Sequence, residues 1–319
     1  MTDNTAFQKA LEKGKPILID GGLATELEAQ GHDIGTDLWS AALLRTNPGA
    51  IVAAHRAYLD AGADCLISAS YQASEHGFRT LGLTTEIANE LIAGSVALAS
   101  QARDEFMRDN PNSSRRVLIA ASVGPYGATL HDGSEYTGDY GISTEALKHF
   151  HAPRLRLLDD SNPDVLACET IPSLNEARVL CELLQDVSHP AWISFSCRDS
   201  LHLSDGSPIR QVAALFNDHP NVLAIGVNCT APQFVTSLIQ QVRDAAPEKA
   251  IIAYPNSGED YDANTKSWSG TVTPIECADA AKEWIRAGAQ LIGGCCRMGP
   301  PHIAAMAGVL GAPHSGGCG

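Results

Sequence analysis

No Cys-x-x-Cys pair, no Lys/Arg-rich run and no apolar stretch near the ~18 residues of a membrane span occur in this 319-residue chain. The first absence argues against a four-ligand structural zinc site, which is normally built on closely spaced cysteine pairs. The second, with 22 Lys and Arg against 37 Asp and Glu, gives a net charge of −15. Nucleic acid is therefore not an expected partner, and a cationic small molecule is mildly favoured. The third gives no reason to expect a membrane-spanning segment. The start, Met1-Thr2-Asp3-Asn4-Thr5-Ala6-Phe7, lacks the basic head and apolar core of a secretory signal. The nine cysteines are accordingly expected as reduced thiols in the cytoplasm, not as a disulfide framework. What the chain does have is 44% hydrophobic residues, 28 glycines and only 18% charge, enough for the large core of a compact α/β enzyme.

Short apolar runs alternate with longer amphipathic ones. Strands are expected at Pro16–Asp20, Asp64–Ser68, Val117–Ser122, Val165–Glu169, Ala191–Ser196, Val222–Asn228, Ala250–Tyr254 and Gln290–Gly293. Helical patterns lie between them at Pro48–Ala61, Thr85–Met107, Thr144–Asp160, Ser173–Val187, Pro232–Ala245 and Ile275–Ala287. Strands without period-two alternation, each followed by a helix, are parallel strands covered on both faces. Eight such units predict a (β/α)8 barrel, a TIM barrel, in a single domain over residues 1–312 with a tail at 313–319. An open doubly wound sheet is the alternative, but no Gly-x-Gly-x-x-Gly follows the first strand. Glycine stops at Gly62 and Gly288 precede strands, as helix ends should. The irregular stretches Gly124–Ser143 and Pro255–Thr273 follow the third and seventh strands, so both should emerge on the C-terminal face where barrel active sites sit.

Polar residues gather at those strand ends. Asp20 precedes Gly21-Gly22, Ser68 and Ser70 end strand two, Glu169 closes strand four, and Tyr254 ends strand seven. Cysteines stand in the same place: Cys229 after strand six, and Cys295-Cys296 after strand eight. An adjacent pair is a weak signal, since nine cysteines in 319 residues give roughly 0.2–0.3 such pairs by chance. Packed core thiols and a metal site both remain open at this point. Three thiols on two strand ends suit zinc with one coordination position left open, an arrangement of catalytic and not structural sites.

Several segments together resemble the homocysteine S-methyltransferases. They are Asp20-Gly21-Gly22-Leu23-Ala24-Thr25-Glu26-Leu27-Glu28, Leu38-Trp39-Ser40, Ser70-Tyr71-Gln72-Ala73 and Gly124-Pro125-Tyr126-Gly127-Ala128. Ala167-Cys168-Glu169-Thr170, Val227-Asn228-Cys229, Tyr254-Pro255-Asn256-Ser257-Gly258-Glu259 and Gly293-Gly294-Cys295-Cys296-Arg297 complete the set, in order from about Ile17 to about Ala305. Asp132-Gly133-Ser134-Glu135-Tyr136 and the Tyr254–Glu259 run are most similar to the S-methylmethionine-using bacterial and plant enzymes. The resemblance implies a zinc-dependent barrel that moves a methyl group from a sulfonium donor to homocysteine, forming methionine. It implies zinc ligands at Cys229, Cys295 and Cys296 and homocysteine-binding carboxylates at Asp20 and Glu169. Ser68 and Asn228 are further substrate-site candidates. The chain ends soon after the cysteine pair, so folate- or cobalamin-binding domains are not expected.

The residues permit that chemistry. A free thiol has a pKa of about 8.5, and metal coordination removes its proton. Three protein thiolates leave a fourth sulfur electron-rich. Asp20 or Glu169 is expected to hold the homocysteine ammonium, and the Gly21-Gly22 amides its carboxylate. Tyr71, Tyr254, Tyr126 and Trp39 are candidates to face the donor cation. S-methylmethionine is the expected donor, with S-adenosylmethionine the second. Two other readings remain: methylation of another thiol or selenol such as selenocysteine, and a zinc- or thiol-binding barrel without transferase activity.

Overall fold

The structure, a computed structural model, describes residues 5–33, 40–130, 132–258, 260–262, 267–269 and 272–311. The expected tail at 313–319, Trp39 and Glu259 lie outside the described residues. Eight parallel strands form the sheet: β1 (Ile17–Leu18), β2 (Cys65–Ile67), β3 (Leu118–Val123), β4 (Val165–Ile171), β5 (Ala191–Phe195), β6 (Val222–Asn228), β7 (Ala250–Tyr254) and, last in the chain, β10 (Ala289–Ile292). Their order runs β2-β3-β4-β5-β6-β7-β10-β1. The ring closes where β1 meets β2, through the parallel bridge Ile19–Cys65 and the bond from Asp20 N to Cys65 O (3.0 Å). The barrel expected from the sequence is the fold observed. A small antiparallel pair, β8 (Asp260–Asp262) and β9 (Ser267–Ser269), lies in the segment after β7.

Local chemistry sets the helix ends. Helix α4 (Pro48–Ala61) and helix α11 (Pro274–Ala287) start with proline in the first turn, where its missing N–H is harmless. Both stop at a glycine with left-handed φ, 113° at Gly62 and 116° at Gly288, as the sequence suggested. Thr273 and Glu276 form a reciprocal capping box on α11. Helices α6 (Thr85–Asp109), α7 (Thr144–Asp160) and α8 (Leu174–Leu183) are capped by the hydroxyls of Thr84, Ser143 and Ser173. The stretch expected to be one helix over Ser173–Val187 tightens into a 3-10 turn at Leu184–Asp186.

The core has two parts. One fills the space between strands and helices. The other lies within the barrel and takes every second strand residue, including Ile17, Ile19, Cys65, Leu118, Ala120, Val165, Ala167, Trp192, Ala224, Ile252 and Leu291. Phe7, from helix α1 (Ala6–Leu11), is fully buried with its ring 6.0 Å from that of Trp192. The same inward alternation, carried on toward the strand C-termini, reaches Ser122, Glu169, Ser194, Asn228 and Tyr254. All five are buried polar residues. The site is thus the top layer of the barrel interior.

Candidate active site

Three thiols converge on one point. The sulfurs of Cys229, Cys295 and Cys296 all lie within 4.8 Å of one another, and Cys229 Sγ is 3.4 Å from Cys296 Sγ. Tetrahedral zinc with thiolates at ~2.3 Å needs sulfurs about 3.8 Å apart, so the donor set and spacing fit that ion. Among the described residues no histidine or carboxylate joins the group, which leaves one position of a four-coordinate metal free of protein. Crowding already distributes the protons unevenly. Hydrogen bonding with Cys229 and Cys295 holds Cys296 well below the usual thiol range, while hydrogen bonding with Cys229 and Cys296 pushes Cys295 well above it.

Backbone strain positions the cluster. Cys229 and Arg297 have φ of 46° and 65°, and Thr170, behind Glu169, has φ of 60°. Left-handed non-glycine residues are uncommon and persist where neighbours hold them. Asn228 does this for Thr170, accepting from its N–H (2.7 Å) and donating to its Oγ1 (2.7 Å). The Asn228 amide nitrogen also approaches Cys295 Sγ at 3.8 Å. Asn228 therefore stands behind the cavity and shapes it.

A cavity opens beside the thiols, lined in part by Gly21, Ile67, Ser68, Tyr71, Glu135, Tyr136, Glu169 and Tyr254. Glu169 accepts from Ser122 Oγ and from Tyr254 OH (3.1 Å), yet burial raises its pKa to about 7. Tyr254 is held by Trp192 Nε1 (3.1 Å) and lies 2.6 Å from Ser194 Oγ, which reaches on to Asn228 Oδ1 at 2.8 Å. Asp20 is 1% exposed and sits behind the wall formed by Gly21, Ile67 and Ser68. Its Oδ2 accepts from Ile67 N (2.9 Å), but Oδ1 has no partner. Burial, reinforced by the nearby Glu169 charge, pushes Asp20 well above the carboxylate range. Ser68 lines the cavity and accepts from Ser122 N at 3.0 Å.

One expectation needs correction. The amide of Gly22 donates to Met298 O (3.0 Å), so it is not available to a ligand carboxylate. The two glycines instead allow close approach: a Cβ on Gly21 would overlap Met298 O, and one on Gly22 would lie 2.7 Å from Cys295 O. Tyr58 OH donates to Gly22 O (2.8 Å) and approaches Met298 O at 3.3 Å. Together these contacts fasten the end of β1 to the cysteine-bearing turn.

Of the aromatic candidates, Tyr71 and Tyr254 line the cavity. Tyr126 packs instead against Tyr140 and Phe150, with centroids 5.4 and 5.1 Å away. Sequence reasoning did not single out Tyr136, whose hydroxyl is 3.4 Å from Cys229 Sγ. Nor did it single out Glu135, a buried carboxylate on the same 3-10 turn, pushed up by burial and with Oε2 unpartnered. Their only sequence signal was membership of the Asp132–Tyr136 motif. Fully buried Glu176 anchors the segment that carries them, accepting from Tyr126 N (2.7 Å) and Tyr140 OH (2.8 Å) and pairing with His151 Nε2 (2.8 Å). Arg154 steadies the adjoining strand exits by donating to Gly124 O (2.8 Å), Ser70 O (2.6 Å) and Tyr71 O (2.7 Å).

Comparison with known proteins gives the family of the chain. The family model for homocysteine S-methyltransferase matches residues 17–310. Homocysteine S-methyltransferase YbgG of Bacillus subtilis is 46% identical over 304 residues, covering 94% of this chain and 96% of its own. The homocysteine S-methyltransferase of Escherichia coli is 46% identical over 310 residues, covering 96% and 99%. Homocysteine S-methyltransferase 4 of Zea mays is 46% identical, covering 93% and 90%. The crystal structure of the metallated form of the Escherichia coli homocysteine methyltransferase MmuM superimposes with a TM-score of 0.84 at 44% identity, covering 94% of this chain and 98% of that one. Among the described residues no helix is long and apolar enough to cross a membrane. With a family match across nearly the whole barrel and relatives of such identity, this chain belongs to the homocysteine S-methyltransferase family.

Proposed function

We propose that this enzyme transfers a methyl group from a sulfonium donor, S-methylmethionine in preference to S-adenosylmethionine, to the thiol of homocysteine, forming methionine. The observation that carries the reading is the three-thiol cluster with an open position, set beside the buried carboxylates of Glu169 and Asp20 at a cavity that no lysine or arginine lines among the described residues. Cys229, Cys295 and Cys296 would hold Zn2+, which supplies a Lewis acid that keeps a substrate sulfur as thiolate near neutral pH. Free thiols throughout the described chain suit a reducing cytoplasm.

The chain's own residues bind and align. Glu169 lines the cavity and Asp20 lies behind its wall, each buried and raised in pKa, so an ammonium bound against Glu169 favours the charged form of both, directly at Glu169 and through its field at Asp20. Ser122 and Tyr254 fix the orientation of Glu169, and Asn228 fixes the strained turn at Thr170 that follows it. Tyr136 covers the thiols from the segment after β3 and helps exclude water. In the reaction the homocysteine sulfur lone pair forms the new C–S bond as the donor's S–CH3 bond breaks. That bonding pair returns to the donor sulfur, which leaves as a neutral thioether. No proton moves at the methyl carbon, so alignment of two sulfurs is the main task.

A metal store would need neither Asp20 nor Glu169, which favours transfer over mere binding. The test is kcat/KM on zinc-loaded, reduced protein with S-methylmethionine, S-adenosylmethionine and glycine betaine, each with homocysteine and with selenocysteine as acceptor. S-methylmethionine with homocysteine is expected to be the fastest pair. A clear preference for another donor or acceptor refutes that half of the reading, and no turnover with any pair refutes transfer itself.

A further inference from the structure

Four buried carboxylates stand in or near the site, and their partners differ. Glu176 has three partners and Glu169 has two; Asp20 has Ile67 N on one oxygen and none on the other, and Glu135 Oε2 is enclosed with none. Glu135 is 8% exposed and lines the same cavity as the thiols. No lysine or arginine lines that cavity among the described residues. A carboxylate enclosed in this way is unfavourable unless a cation arrives with the ligand.

Its placement separates it from the homocysteine carboxylates. Asp20 and Glu169 sit at the ends of β1 and β4, near enough for their charges to repel. Glu135 comes from the covering segment, where Ser196 Oγ donates to its carbonyl (3.3 Å). The next residue lays its hydroxyl 3.4 Å from Cys229 Sγ. The 135–136 turn therefore covers the cavity on the side of the thiols, where the two reacting sulfurs must meet.

We propose that Glu135 is the counter-charge for the sulfonium of the methyl donor and sets the enzyme's selectivity for cationic over neutral methyl-sulfur compounds. This rests on the sulfonium-donor reading above. The sulfonium charge fades as the methyl leaves, so a neighbouring carboxylate stabilises the bound donor more than the transition state. Glu135 therefore acts in donor capture and selection, and does not accelerate the chemical step.

The test compares wild type with Glu135→Gln and the charge-retaining Glu135→Asp. For Glu135→Gln, the KM for S-methylmethionine is expected to rise tenfold or more, with kcat unchanged or raised. Homocysteine KM and zinc content are expected to stay at wild-type values, and the melting temperature of the ligand-free variant to match or exceed that of wild type. Inhibition by methionine, competitive with the donor and uncharged at sulfur, is expected to be unaffected, and Glu135→Asp to recover most of the donor affinity. An unchanged donor KM, a fall in kcat alone, or equal weakening of methionine and S-methylmethionine overturns the assignment. Wild-type turnover with S-methylmethionine beside any of those results leaves the donor reading standing. Absence of wild-type turnover with either sulfonium overturns both.

Discussion

Replacing Glu169 by glutamine converts a buried titrating group into a neutral one of nearly the same shape, and two opposite effects should follow. In the free enzyme burial raises Glu169 from 4.5 to about 7. A carboxyl whose folded pKa is raised contributes stability that is complete below its unfolded value and is lost as pH rises through the folded value. The window is therefore pH 4.5 to about 7, and its full depth is about 3 kcal/mol at 1.36 kcal/mol per unit. Glu169→Gln removes that loss, so the ligand-free variant should match or exceed wild type in stability at pH 8. Homocysteine binding should move the other way. Its ammonium needs the ionised carboxylate, so below about pH 7 each unit of acidification should weaken wild-type binding roughly tenfold through Glu169 alone. The variant should lose that slope and, at pH 8, about 1.5–3 kcal/mol of affinity for a lost charged hydrogen bond. Calorimetric titration of homocysteine at pH 6, 7 and 8, in two buffers of different ionisation enthalpy, measures affinity and proton release together. The substrate thiol's own proton contributes equally to both proteins, so the difference between them isolates Glu169. Identical pH slopes in wild type and variant would refute the assignment of the homocysteine ammonium to this carboxylate.

Removing both paired thiols, Cys295→Ala with Cys296→Ala, is expected to abolish zinc binding and turnover while the circular dichroism spectrum stays that of the folded barrel. Full zinc occupancy by elemental analysis would disprove that ligand set. Asn228→Ala leaves the buried Thr170 N–H and Oγ1 without their partners and should lower stability by about 2–4 kcal/mol, read from the urea midpoint, with a rise in homocysteine KM. Gly22→Ala places a methyl 2.7 Å from both Cys295 O and Thr25 Oγ1. It should displace the cysteine-bearing turn, so zinc affinity by competition with a chelator should fall more than the melting temperature does.

Much of this site could be read before any coordinates, for physical reasons. Barrel strands are covered on both faces, so they stand out as apolar runs, and a charged or thiol residue at the end of such a run is conspicuous. Asp20, Glu169, Cys229 and the Cys295-Cys296 pair were all found that way. Ser122 and Ser194 were not singled out, although their inward parity with Ala120 and Trp192 was available. Glu135 and Tyr136 had no periodic signal, because their position depends on Glu176, some forty residues further along, and on the fold that brings it near. Of the two glycines after Asp20, Gly22 was misassigned as a ligand-facing amide. Sequence shows that a Cβ is absent but not which backbone approaches, here that of Met298 and Cys295. The left-handed turns at Thr170 and Cys229 were equally invisible, since neither residue type advertises a positive φ.

The most direct test is X-ray absorption at the zinc edge of the reduced, zinc-loaded enzyme, before and after addition of homocysteine. Three sulfurs at ~2.3 Å and one lighter ligand are expected first, and four sulfurs after homocysteine binds. S-methylmethionine should then restore the first spectrum as methionine forms. A metal shell that already holds four sulfurs, or one that does not gain a sulfur when homocysteine binds, would contradict direct activation of the substrate thiol at the Cys229–Cys295–Cys296 site.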